Sequence, residues 1–138
     1  MDRPAFDNWL DAYKRAWEAR DPEDAVDLFT ADATYQETPF EEPVTGRDGI
    51  RDYWSDATRY QEGIEFSYEI LAITETGGIA HWRSEFTNPT SGSAVELDGI
   101  FLLELDADGK CIEFRAFIKS ESVQYGRIVE SAKITPDN

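Results

Sequence analysis

The first third of the chain has apolar residues at helical spacing. From Pro4 to Ala19 they recur every three or four positions, with mostly polar residues between them. The stripe consists of Phe6, Trp9, Leu10, Tyr13 and Trp17. This spacing predicts an amphipathic helix with one buried face. The pair Asp21-Pro22 supplies an N-cap and a first helical residue, and it predicts a short second helix that ends near Asp32.

The pattern then changes from helical spacing to alternation. Residues 33–38 alternate as a strand does, which places Ala33, Tyr35 and Glu37 on one face. A third helix is predicted to start near Thr45. Its buried stripe would consist of Ile50, Tyr53, Trp54 and Ala57.

Four further segments alternate between apolar and polar residues and are separated by glycine-, proline- or aspartate-containing turns. The predicted strands are residues 64–74, 79–87, 94–105 and 110–119. Beyond Ser120 the alternation fades. We therefore expect one domain over residues 1–120 and a partly frayed C-terminal extension over residues 121–138.

The resulting order, α-α-β-α-β-β-β-β, predicts an α+β fold. Long hairpin strands have to bend to cover three helices. We therefore expect a cone-shaped roll, in which three N-terminal helices pack on a strongly curved, mainly antiparallel sheet. Such a roll encloses an apolar cavity that suits a small molecule.

Composition narrows the possible functions. The 138 residues carry 29 acidic and 13 basic side chains, for a formal net charge of −16. This charge excludes nucleic-acid binding, which needs clustered Lys and Arg. It also disfavours binding to an anionic membrane. The acidic bias fits either general solubility or a host with a salt-rich cytoplasm.

A single cysteine and a single histidine leave no internal disulfide and no recognisable metal site, and we expect no cofactor. No apolar run is long enough to span a membrane, and the charged N-terminus lacks a signal-peptide core. A cytoplasmic location is therefore expected.

Three stretches carry a resemblance to a known family. They are Tyr13–Thr34 (Y-x-x-A-W-E-A-R-D-P-E-D-A-V-D-L-F-T-A-D-A-T), Gly46–Trp54 (G-R-D-G-I-R-D-Y-W), and Gly109-Lys110 followed by Phe114–Phe117. With the element order, they resemble the nuclear-transport-factor-2-like superfamily, in particular its SnoaL-like (polyketide-cyclase-like) and ketosteroid-isomerase-like branches. The resemblance extends to about Ser120. It implies the cone-shaped fold, which hosts isomerases, cyclases, dehydratases, epoxide hydrolases and non-catalytic binding domains.

The resemblance implies roles for two residues. Tyr13 stands where ketosteroid-isomerase-like proteins have a pocket tyrosine that donates its hydroxyl to a developing oxyanion. Glu37 stands where they have a general base, and an apolar cavity would raise its pKa towards the range useful for proton transfer. The alternatives are a core position for Tyr13 and a rim position for Glu37 beside the acidic pair Glu41-Glu42. We expect Tyr13 and Glu37 to line one pocket.

Other family acids have no counterpart here. Phe101 stands in the place of the isomerase's protonated aspartate, and regular pleating sends Asp98 to the opposite face unless Gly99 marks a bulge. SnoaL-like chains often have an acid four residues after the arginine matched by Arg115, and here that place is Lys119.

Aromatic residues supply the remaining pocket candidates, with core packing as the equally open alternative. These substrate-binding candidates are Tyr35, Trp54, Tyr68, Trp82, Phe101 and Phe114. The lone His81 shares strand parity with Arg83 and Glu85, which favours an outward polar ladder over a catalytic role.

Alternation also leaves apolar residues on the outer face of the sheet, and an exposed apolar patch indicates an interface. The predicted patch consists of Leu71, Ile73, Ile100, Leu102, Cys111 and Phe117. Its polar rim would consist of His81, Arg83, Glu85, Glu113 and Arg115. We expect a homodimer through this face, as the resemblance also implies.

Two classes of function fit these features. One is a cofactor-free isomerase, cyclase or hydrolase that acts on a small, mostly apolar substrate with Glu37 as the base. The other is a non-catalytic module of the same fold that holds a hydrophobic ligand or a protein partner. A closed cavity in which Tyr13 and Glu37 converge would favour the first.

Overall fold

A computed structural model of the protein describes residues 1–124 and 127–130, with side chains through residue 120. The helices are α1 (Arg3–Glu18), α2 (Pro22–Val26) and α3 (Gly46–Thr58). The strands are β1 (Phe29–Gln36), β2 (Val44–Thr45), β3 (Glu62–Ile73), β4 (Gly77–Thr87), β5 (Ala94–Leu105), β6 (Cys111–Gln124) and β7 (Arg127–Glu130). Among these helices, none is both long and apolar enough to cross a membrane.

The described strands form one curved sheet in the order β2-β1-β6-β5-β4-β3, and β7 pairs with β6. All pairings are antiparallel except that of β1 with β6, which is parallel. The predicted α+β fold, with its helices followed by a mainly antiparallel sheet, is confirmed.

Helix α1 forms as its sequence predicts. The Asp2 side chain caps it by accepting a hydrogen bond from the Ala5 N–H at 2.9 Å. Its buried face contains the whole predicted stripe, together with Ala16. That face lies against the inner surface of the sheet, where the ring of Tyr13 contacts those of Phe101 and Phe114.

The boundary between α2 and β1 differs from the prediction. Helix α2 ends at Val26, and β1 already begins at Phe29 rather than near Ala33. The cause is a long-range pairing: the Cys111 N–H donates to the Leu28 carbonyl at 2.7 Å, and Phe29 pairs with Cys111. Apolar Leu28 and Phe29 fit a helix or a strand equally well, so the local pattern could not decide between them.

The last predicted strand is longer than expected. Strand β6 continues past Lys119 to Gln124 and then pairs with β7. The domain boundary at residue 120 stays a prediction, and the polar end Thr135–Asn138 lies outside the described residues.

Two irregularities in the sheet correct the predicted outer face. One extra residue on β6 shifts the register between Glu104 and Leu105, which turns Cys111 into the core and leaves Ile112 exposed. A second shift on β3 bulges out Leu71, so that Ile73 packs against the core. Cys111 and Ile73 were therefore wrongly assigned to the outer patch.

Candidate active site

A small cavity lies between α1, α3 and the end of β1. Its lining side chains are those of Tyr13, Trp17, Tyr35, Glu37, Tyr53, Trp54, Ala57, Thr58 and Gln61. Its volume is about 30 Å³, enough for one or two water molecules, whereas pockets for drug-sized ligands are roughly tenfold larger or more. The lining residues Glu37, Tyr53 and Gln61 are partly exposed, so this end opens towards solvent.

Two tyrosine hydroxyls meet at the closed end of the cavity. Tyr13 and Tyr35 are both 2% exposed, and their hydroxyl oxygens lie 3.3 Å apart, within hydrogen-bond distance. Burial raises the pKa of each hydroxyl well above its usual value, and the nearby Glu37 carboxylate raises both further. Both groups are therefore neutral at physiological pH and act as hydrogen-bond donors rather than bases.

Glu37 is the first residue after β1. Alternation from Ala33 and Tyr35 directs its side chain towards the cavity. Although part of the Glu37 side chain is exposed, burial of its carboxyl group, and secondarily the charge of Glu41, raises its pKa to about 7. Within the described part of the chain, Glu37 has no salt bridge. It is therefore a carboxyl group that can gain or lose a proton near neutral pH.

The opposite wall contains three residues with amide or indole groups, of which the sequence singled out only Trp54 for the site. The Trp17 indole N–H donates to Gln61 Oε1 at 2.7 Å. The buried Trp54 Nε1 makes no hydrogen bond of standard geometry, although its N–H is close enough to the Tyr35 hydroxyl to lower that group's pKa. Gln61 lies between α3 and β3, where no periodicity marks it. Trp17 was visible only as part of the helical stripe.

The model of the SnoaL-like domain family matches residues 10–114. The chain belongs to the SnoaL-like family. No curated protein matches the sequence. Solved structures share the fold of this SnoaL-like chain at low sequence identity. Three of them are an enzyme of ring formation, an isomerase and a protein of unknown function.

The first is the epoxide hydrolase/cyclase-like enzyme SalBIII of pyran ring formation in the polyether salinomycin, with a TM-score of 0.76 and 18% identity over 94% of this chain and 98% of that one. The second is a Δ5-3-ketosteroid isomerase from a Mycobacterium species, with a TM-score of 0.71 and 15% identity over 84% and 98%. The third is an NTF2-like protein of unknown function from an Exiguobacterium species, with a TM-score of 0.67 and 22% identity over 80% and 97%. At these identities the likeness shows the fold alone.

The structure of the SnoaL-like chain brings Tyr13, Glu37, Tyr35 and Trp54 to one cavity, but it does not bring the other candidates there. The Tyr68 hydroxyl donates to Asp7 Oδ1 at 2.7 Å on the far side of α1. The other three candidates are Trp82, Phe101 and Phe114, which are at most 1% exposed. Their rings stack on other core aromatics and do not line the cavity.

The missing family acid is not restored by a bulge. The register of β5 with both neighbours runs without interruption through Gly99, so Asp98 faces outwards. A Cβ on Gly99 would approach the Phe117 carbonyl oxygen to 2.6 Å and the Trp82 ring to 3.1 Å, which explains the glycine as a close packing contact. Asp98 accepts from His81 Nε2 at 2.7 Å, so His81 lies on the outward ladder as predicted.

Proposed function

We propose that this SnoaL-like protein is a cofactor-independent enzyme of proton transfer, with Glu37 as the general base and Tyr13 as the donor to a developing oxyanion. One observation carries the proposal: a carboxyl group with a pKa of about 7 lines the same cavity as two neutral tyrosine hydroxyls. A base is most effective when its pKa lies near the working pH. A buried hydroxyl offers a fixed dipole to a forming negative charge.

The proposed step begins with a substrate that carries a carbonyl group. The Glu37 carboxylate takes a proton from the carbon next to the carbonyl. The C–H electron pair forms the C=C bond of an enolate, and the C=O π pair moves to the carbonyl oxygen. The Tyr13 hydroxyl, which contacts Tyr35, donates a hydrogen bond to that oxygen. When the enolate is conjugated with a C=C bond, Glu37 returns the proton to the far carbon of that bond and the carbonyl re-forms, which completes an isomerisation. When the enolate carbon instead adds to a second carbonyl carbon of the substrate, the C=O π bond of that carbonyl breaks and its oxygen takes the proton from Glu37, which completes a cyclisation.

Support also comes from the chemistry named for similar structures, an isomerase and an epoxide hydrolase/cyclase-like enzyme. The cavity volume of about 30 Å³ sets a limit on the substrate. Only its reacting end fits inside, and the mostly apolar remainder would lie at the opening beside Tyr53.

The test is deuterium exchange at the carbons next to the carbonyl of cyclopentanone, followed by proton NMR in D₂O. The unmodified protein should accelerate this exchange, and Glu37→Gln should reduce the acceleration by at least about a hundredfold, as expected for a lost general base. Tyr13→Phe should reduce it as well. The matched control is Glu42→Gln, the same chemical change on the exposed loop after β1. Equal exchange rates in Glu37→Gln and Glu42→Gln would contradict the proposal.

The small cavity favours a second candidate, a non-catalytic domain of the same fold that binds a hydrophobic ligand or a protein. Most of the inner face is filled by packed aromatic side chains rather than open space. Binding of small apolar compounds without any exchange would support this candidate over the enzyme.

We also propose that the protein forms a homodimer through the outer face of the sheet. The corrected patch is a strip of cross-strand neighbours: Ile79 opposite Leu102, and Ile100 opposite Phe117. Phe117 is 44% exposed. On a chain of net charge −16, an apolar strip of this kind is a surface where two copies can meet with less charge repulsion than elsewhere.

Light scattering should give about twice the chain mass of 15.7 kDa. Leu102→Glu should shift the mass towards that of one chain, because it places charge in the strip. The control is Phe40→Glu, which alters an exposed apolar residue on the loop after β1. A single-chain mass for the unmodified protein would contradict the dimer.

A further inference from the structure

The cavity contains more hydrogen-bond donors than the proposed reaction uses. Besides the two tyrosines, the residues that line it include Gln61, whose side chain carries an amide, and Trp54, whose ring carries an indole N–H. Trp54 is 3% exposed, and its Nε1 has no hydrogen-bond partner of standard geometry. This N–H lies close to the Tyr35 hydroxyl, and with no bond of standard geometry to the protein it is available to an acceptor atom on a ligand.

Trp17 determines which way the Gln61 amide faces. An indole N–H can only donate, so the Gln61 atom that lies 2.7 Å from Trp17 Nε1 is the oxygen. Gln61 Nε2, with its two N–H groups, therefore faces away from Trp17. The Arg20 guanidinium donates to the Gln61 backbone carbonyl at 3.1 Å, which also holds the backbone of this residue.

The charge of the cavity disfavours ionic ligands. Of the described residues that line it, none is Lys, Arg or His, and Glu37 is the one carboxyl group. An anion would lie close to Glu37 with no cation to offset the repulsion. An ammonium group could contact Glu37, but it offers no acceptor atom to the N–H groups of Gln61 and Trp54.

We propose that Gln61, oriented by Trp17, and Trp54 make the site selective for uncharged ligands that present an oxygen acceptor, such as a carbonyl or ether oxygen. Glu37 then faces a neutral molecule and not an ion. This inference rests on the proposed function in that it names the ligand class of the same cavity.

Four compounds of similar size test the selection: cyclopentanone, methylcyclopentane, cyclopentanecarboxylate and cyclopentylammonium. Each is titrated into nitrogen-15-labelled protein at about pH 8, where Glu37 is mostly ionised. The indole resonances of Trp17 and Trp54 and the side-chain amide resonances of Gln61 report the binding. Cyclopentanone should bind at least roughly threefold to tenfold more tightly than the other three, the ratio expected for one or two added hydrogen bonds.

Two variants assign the selection to Gln61. Gln61→Glu keeps an oxygen for the Trp17 indole and removes the N–H donors. It should therefore weaken the binding of cyclopentanone by about threefold to tenfold and leave the binding of methylcyclopentane unchanged. Trp17→Phe allows the Gln61 amide to rotate and should weaken the binding of cyclopentanone to a smaller extent. Asn8→Asp, the same kind of change on an exposed position of α1, is the control. Well-dispersed spectra establish that each variant is folded.

Unchanged cyclopentanone affinity in Gln61→Glu, tighter binding of either ion, or no binding of cyclopentanone up to its solubility would overturn the inference. The outcomes separate it from the proposed function. If deuterium exchange depends on Glu37 but the affinity for cyclopentanone does not depend on Gln61, only the inference about ligand selection is contradicted. If the affinity for cyclopentanone depends on Gln61 but the protein does not accelerate deuterium exchange, only the catalytic proposal is contradicted.

Discussion

On the outer face of the sheet, His81 lies between two carboxylates, whereas Glu37 at the inner cavity has no cationic neighbour among the described residues. His81 Nε2 lies 2.7 Å from Asp98 and its Nδ1 lies 3.2 Å from Glu69. Both contacts use an N–H only when the ring is protonated, and these hydrogen bonds raise the pKa of His81. Burial raises the pKa of Glu37.

The two shifts have the same direction but opposite meanings for stability. The outer face favours the charged form of His81, so its raised pKa reports a stabilising interaction. The inner cavity disfavours the charged form of Glu37, so its raised pKa reports a cost that the fold carries at neutral pH. A carboxyl group retained at such a cost is typical of a functional site.

The largest expected effect on stability comes from comparing an inward-facing and an outward-facing residue of the same strand. Phe114 and Phe117 both lie on β6, but Phe114 faces inwards, is 0% exposed and stacks on Tyr35 at 4.3 Å between ring centroids. Phe114→Ala should lower the free energy of unfolding by about 3–5 kcal/mol. Phe117→Ala should lower it by about 1 kcal/mol or less. Urea unfolding measures both changes, best in the Leu102→Glu background so that a subunit interface does not contribute.

Comparable losses from the two substitutions would show that the outer strip is as tightly packed as the core. The assignment of the two faces would then need revision.

The next effect concerns the cost of ionising Glu37. Its pKa is raised from 4.5 to about 7 on folding. The folded state therefore holds a proton that the unfolded chain has released, and stability falls as the pH rises from about 4.5 to about 7. Glu37→Gln removes this cost, so the variant should be more stable than the unmodified protein at about pH 8, by about 1–3 kcal/mol. Thermal or urea unfolding across this pH range measures the difference.

Glu41→Gln is the matched control for the charge contribution. It removes the neighbouring carboxylate but not the burial, which is the larger cause, so part of the pH dependence should remain. A Glu37→Gln variant with the same stability profile as the unmodified protein would contradict the burial of this carboxyl group.

The smallest effect comes from His81. Its raised pKa stabilises the fold fully below the unfolded value of about 6.5, and this contribution is lost as the pH rises through the folded pKa. His81→Gln should therefore be less stable than the unmodified protein at about pH 5, by about 1 kcal/mol or less because the pair is partly exposed. The difference should shrink towards zero at high pH. A constant difference across the range would mean that packing, and not the ion pairs, holds His81.

The sequence predicted most where many residues repeat one signal. The five predicted apolar positions of α1 have helical spacing, and all of them are buried. Strand β5 has the predicted bounds, because its alternation is long and a turn flanks each end. Tyr13 and Glu37 share a cavity as expected, since the resemblance places one on the helix face and the other after β1.

It predicted least where a single residue or a distant contact decides the outcome. The bulges at Leu71 and Ile112 each insert one residue into a strand, and the residues around them do not mark the positions as bulges. The early start of β1 depends on Cys111, more than eighty positions away in the chain. Gln61 has no periodic context, and its role in the cavity follows only from the Trp17 contact.

The parallel pairing of β1 with β6 bears on how the molecule is assembled during synthesis. Strand β1, which leads into Glu37, has β2 as its only other neighbour in the described sheet, and β6 starts at Cys111. A nascent chain that ends before Cys111 can therefore form its helices and the hairpins of β3, β4 and β5, but it cannot fix β1 in place. Such long-range pairing slows folding, and until β6 pairs with β1 the rings of Trp9 and Tyr13 lack their contacts with Phe114. The cavity therefore takes its final geometry only after β6 has been synthesised and has paired with β1.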